Sequence, residues 1–183
     1  GAAGLLAHAP ASPQRASLVA HANLRAHVRH VEEPELAAGR RGDLALATPG
    51  LWDDVALPVP DVEIEVPGAL ELGGRTIELW PLAPAHTTCD LLVHVPDAGV
   101  WVVGDVVEES GPPSFEPDSD PEGWALALER LGSRLGPSDV VVPGHGAPVD
   151  REFVARQGAQ LRAAATAGFA RLAERGEPGG RDG

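Results

Sequence analysis

Lysine, methionine and tyrosine are absent from this sequence, cysteine occurs once, and aromatic residues make up only 4% of it. The single Cys89 excludes an internal disulfide and leaves the redox compartment open. No apolar run approaches the roughly 20 residues that a membrane-spanning helix needs, so no membrane partner is expected. Positive charge is scarce: 14 basic side chains, every one an Arg, face 27 acidic ones, for a net charge of −13. Phosphate binding needs a basic face, so nucleic acid is not an expected partner either. Without Met the chain has no residue at which translation could begin. It opens at Gly1 on GAAGLLAHAP, with neither a charged leader segment nor a signal-type hydrophobic core. The N-terminus therefore reads as cut, processed or incomplete, and a cytoplasmic location is the default expectation.

What is present is globular in composition: 183 residues, 43% hydrophobic and 22% charged. The length suits one domain, expected over residues 1–175, with GEPGGRDG (176–183) as a flexible tail. The excess of Arg, Gly and Pro reads as the codon bias of a GC-rich bacterial genome.

Local patterns predict a mixed α/β chain. Asn23 is a plausible N-cap for a helix through about Glu32, closed by Pro34 and AGRRGD. Residues 43–60 have no clear period and read as a loop-like connector. DVEIEV alternates, which puts Val62, Ile64 and Val66 on one face of a strand. LELGGRTIEL reads as a hairpin turning at Gly73-Gly74. DLLVHVP and GVWVVGD read as a second hairpin around Pro96–Gly99, the latter strand apolar enough to be buried on both faces. A helix is expected over Glu122–Leu135 with Ser119 and Glu122 as its capping box. DVVVPGHG reads as a buried strand, and Asp150 as the cap of a long helix reaching about Arg175.

Three residues stand at strand ends in Gly-bounded or polar loops: His86 in PAHTTCD, Asp105 in VVGDVV and His145 in VPGHGAP. A hairpin centred on Asp97 and Ala98 sets Asp105 opposite Asp90, so His86 shares its sheet edge. The strand–helix–strand crossover that follows is parallel and brings His145 to that edge as well. Two imidazoles and a carboxylate converging there form a metal-ligand set suited to Zn²⁺ and related ions.

On these residues the sequence resembles the metallo-β-lactamase-fold metallo-hydrolases. AHTTCDLLVHVPDAGVWVVGD followed by VVPGHGAPV matches that family's His-Thr-x-Gly-Asp segment, its strand ending in Gly-Asp and its Pro-Gly-His-Gly loop, in order. SLVAHANLRAHV resembles the stretch after the family's first metal motif. The resemblance implies an αββα sandwich carrying two zinc ions at one sheet edge, with His86 on the first, Asp105 bridging both and His145 on the second. It implies a hydrolase acting on a small-molecule ester, thioester, lactone or amide by zinc-activated hydroxide, with Asp105 as its catalytic residue here. Cys89 replaces the family's Gly, and the H-x-H-x-D-H motif is missing altogether. The expectation is therefore an N-terminally truncated member with a partial site, inactive by itself. The alternative is a non-catalytic domain of the same fold that binds a partner.

Other residues read more plainly. His21, His27 and His30 could form a second metal patch but are expected at the surface, and His94 is expected to pack within its strand. Cys89 is a weak candidate nucleophile, Asp90 could orient a metal ligand, and Phe115 could shape the pocket.

Overall fold

The computed structural model describes residues 16–39, 41–42, 48, 55–57, 59–82 and 84–176, with the side chains of the final helix described as far as residue 167. Most of the connector expected over 43–60, and all of the expected tail but Gly176, lie outside these.

The centre of the molecule is a five-stranded sheet in the order β3-β4-β5-β6-β7, built from Gly68–Leu72, Arg75–Pro81, Leu91–Val95, Val100–Glu108 and Val140–His145. Gly73 and Gly74, both with positive φ, close the β3–β4 hairpin as predicted, because a two-residue turn needs left-handed backbone that only glycine adopts freely. The β5–β6 hairpin pairs Val93 with Val102 and Val95 with Val100, the predicted register. Its turn is a short 3₁₀ segment, Pro96–Ala98, ended by a left-handed Gly99. Strands β6 and β7 are parallel, again as predicted. A smaller sheet pairs β1 (Val19–His21) in parallel with β2 (Val62–Ile64). Between these two strands run α1 (Leu24–His27), a π turn over Val28–Glu32 and α2 (Glu33–Gly39).

Helices α3 (Pro121–Arg134) and α4 (Arg151–Gly176) cover one face of the large sheet. Trp101, Val103 and Val141 from the strands pack there with Trp124, Leu128 and Leu131 of α3 and Val154 and Leu161 of α4. Asp150 caps α4 as expected, accepting from Phe153 N at 2.9 Å.

Several expectations are corrected. The N-cap of α3 is Asp120, which accepts from the backbone N–H groups of Glu122 and Gly123; Ser119 instead bonds the His86 carbonyl. Asn23 makes no side-chain cap, and its amide reaches the Thr88 carbonyl. The helical segment continues past Pro34 to Gly39. Proline has no N–H to complete an α-turn, and the ladder widens into the π turn just before it. Strand β2 stops at Ile64, leaving Val66 68% exposed. Strand β6 is not buried on both sides: Val102 is 42% exposed between buried Trp101 and Val103, because the helices cover one face only. Within β7, Val140 is 41% exposed for the same reason.

Candidate metal centre

The site lies at one edge of the large sheet, where β6 and β7 end and the loop before β5 begins. Beyond Val102 the β6–β7 register slips twice, around Gly104 and again before Glu108. Gly104 has φ +55°, backbone that a side chain would strain. Buried Gln157 of α4 holds the irregular strand: its amide donates to the Val106 carbonyl at 3.0 Å and its oxygen accepts from Glu108 N at 3.0 Å. Trp124 Nε1 donates to the same Val106 carbonyl.

The slipped strand sets Asp105 and Glu108 beside His145. His145 Nδ1 lies 3.2 Å from Asp105 Oδ1 and 2.9 Å from Glu108 Oε2. Asp105, Glu108 and His145 each present one donor atom within 4.8 Å of the others. His86 approaches from the opposite side, its Nε2 3.9 Å from Asp105 Oδ2. The three residues singled out from the sequence therefore converge, and Glu108 joins them. Gly144 makes this approach possible, because a Cβ there would overlap the Asp105 carboxylate.

The electrostatics follow from these contacts. The Glu108 hydrogen bond and the nearby Asp105 charge raise the pKa of His145. Glu108 is lowered by its bond from the Ser110 hydroxyl and then by His145. His86 packs edge-on against Trp124, with ring centroids 5.0 Å apart, and its Nδ1 is buried without a partner among the described residues.

The His86 loop is clamped by two carboxylates. Asp90 accepts from both the backbone N–H and the hydroxyl of Thr87, at 2.8 Å each, while burial outweighs those bonds and raises its pKa. Asp118 accepts from the backbone N–H and hydroxyl of Thr88, at 3.1 and 3.0 Å. His86, Asp90, Asp105 and Asp118 line a cleft of about 400 Å³. A larger cleft of about 600 Å³ between α3 and α4 shares no residue with it.

Of the remaining candidates, His21 and His27 are buried rather than at the surface. His21 Nδ1 accepts from Asn23 N, and His27 bonds Asp118 and Glu32, so among the described residues the two do not combine with His30 as a metal patch. His94 stacks on Trp101 at 3.9 Å and bonds Glu78, which fits its expected packing role. Phe115 meets Trp124 edge-on, placing it one ring away from His86.

Comparison with known proteins identifies the family and the fold. The family model for the metallo-beta-lactamase superfamily matches residues 1–145. A metallo-beta-lactamase from Pontibacter korlensis is similar in structure, with a TM-score of 0.58 and 22% identity over 87% of this chain and 76% of that one. A metallo-beta-lactamase family protein from Thermus thermophilus gives a TM-score of 0.59 and 20% identity over 86% of this chain. The match spans only 55% of that relative's length. The chain belongs to the metallo-beta-lactamase superfamily, whose fold is of the metal-dependent hydrolase type.

Proposed function

We propose that this chain carries the C-terminal half of a binuclear zinc hydrolase site, with His86, Asp105 and His145 as metal ligands. The observation that carries the reading is the cluster of donor atoms from Asp105, Glu108 and His145 within 4.8 Å, with His86 facing the other Asp105 oxygen. Imidazole and carboxylate donors suit zinc, and the space left by Gly144 lets Asp105 reach into the cluster. Bound zinc would supply Lewis-acid chemistry, polarising a substrate carbonyl and acidifying water.

The chain's own residues have distinct tasks. Asp105 turns one oxygen toward His145 and the other toward His86, the arrangement a bridging carboxylate requires. Glu108 holds the His145 ring by Nδ1 and fixes its orientation. The Thr87–Asp90 and Thr88–Asp118 bonds fix the backbone from which His86 projects. The substrate would be a small ester, thioester, lactone or amide entering the cleft beside His86.

This chain contains no H-x-H-x-D-H sequence. Three side chains shared between two ions fall short of the three protein ligands each that catalytic zinc takes. By itself the chain should therefore bind zinc and turn over little substrate. Zinc titration against a competing chelator tests the reading. Asp105→Ala should weaken zinc binding at least about tenfold, since the ligand itself is removed. Unchanged affinity would remove Asp105 from the metal site, and no zinc uptake even in excess metal would favour a non-catalytic binding domain.

A further inference from the structure

We infer that His27 is a positioning residue for the His86 loop, acting through Asp118. The inference rests on the reading of His86 as a metal ligand.

His86 projects from a loop without regular structure, so its aim depends on what fixes the backbone beside it. Thr88, two residues on, is held on three sides. Its carbonyl accepts from the Asn23 amide at 3.0 Å, and its N–H and hydroxyl both donate to one oxygen of Asp118, Oδ2. The carboxyl torsion of an aspartate is broad, so nothing in Asp118 itself fixes the angle at which its carboxylate meets Thr88. His27 restricts that angle by its bond. Its Nδ1 lies 3.0 Å from the same Oδ2, while Oδ1 is buried without a partner among the described residues. Three donors converging on Oδ2 pin the carboxylate in one orientation.

The His27 ring is pinned in turn. Its side chain is 8% exposed, and its Nε2 lies 3.3 Å from Glu32 Oε1. Glu32 is five residues further along the chain. In an α-helix that spacing turns a side chain well away from the first residue, whereas in a π turn it lies beneath it. The π turn over Val28–Glu32 is thus what places Glu32 under His27. With both ring nitrogens engaged by carboxylates, His27 has none left for an ion. Its role is to order the loop that carries His86.

The test uses the full chain and two readouts. Amide hydrogen exchange at Thr88 is measured without metal, and zinc affinity is measured by chelator competition. His27→Leu should speed Thr88 exchange about tenfold or more relative to the β4–β6 core, and weaken zinc about 10–100-fold, as loss of outer partners does at metal sites. His27→Asn, which keeps a donor near the Nδ1 position, should recover most of both. In a Thr88→Val background, His27→Leu should add little. Unchanged Thr88 exchange in folded His27→Leu would overturn the inference. So would equal damage from Leu and Asn, which would mark a packing role. If His27→Leu fails to fold, Glu32→Ala carries the same test, because Glu32 is 45% exposed: faster Thr88 exchange supports the inference and unchanged exchange overturns it. A chain that takes up no zinc would defeat the proposed function, while Thr88 exchange would still report on His27.

Discussion

Cys89 stands three residues from His86, yet its surroundings argue against reactivity. Burial raises its pKa above the ordinary value of 9.0; the Thr87 hydroxyl bond opposes that rise, and the carboxylates of Asp90, Asp118 and Glu32 add to it. The thiolate is the reactive form, so at neutral pH this thiol is largely inert. Alkylation by iodoacetamide should be slow in the folded chain at pH 7–8 and still be rising at pH 9, since the thiolate fraction has not levelled off there. A rate that levels off below pH 8 would show a depressed pKa and revive the thiol as a nucleophile. At this scale the sequence was legible in the meeting of His86, Asp105 and His145 at one sheet edge. It was not legible for His27, because the burial of a histidine on a short helix depends on Asp118, which lies 91 residues away.

Strand β6 shows why Glu108 escaped the sequence reading. In a regular strand, residues three apart point to opposite faces, so Asp105 and Glu108 should diverge. They meet because the register slips on either side of Asp105. The one local signal was Gly104, a glycine inside an otherwise apolar strand, which commonly marks a bulge. By contrast, the Gly73-Gly74 hairpin and the parallel β6–β7 pair follow from turn chemistry and crossover handedness, and both were predicted. A slipped strand leaves backbone groups without ladder partners, and Gln157 takes up two of them, Val106 O and Glu108 N. Gln157→Leu should therefore cost about 1–3 kcal/mol in denaturant unfolding, the penalty for stranding buried polar groups. Exposed Gln160→Leu on the same helix should stay within about 0.5 kcal/mol. Equal effects would mean that the bulge is held by something other than Gln157.

Taken as a whole, the large sheet is asymmetric. Its register sets Leu79, Val93 and Val102 in one row across the face opposite the helices, with Leu70 and Val140 on the same face. Leu79 is covered, at 4% exposed, whereas Leu70, Val102 and Val140 are each about 40% exposed and leave the face open in part. In an αββα sandwich this face meets a second sheet, and the second sheet among the described residues has only two strands. An aliphatic face this open favours association in water, whereas a net charge of −13 opposes it. Salt screens the charge and leaves the apolar term in place. Self-association of this chain, followed by sedimentation, should therefore grow with ionic strength, and Val102→Thr with Val140→Thr should suppress it. The same substitutions should shift stability by only about 0.5 kcal/mol each, being exposed. Val103→Thr, one residue along the strand but 2% exposed under the helices, should cost about 1–3 kcal/mol by burying a hydroxyl. If Val102→Thr proves as costly as Val103→Thr, the face is covered in solution. The open sheet would then be the wrong picture of this chain.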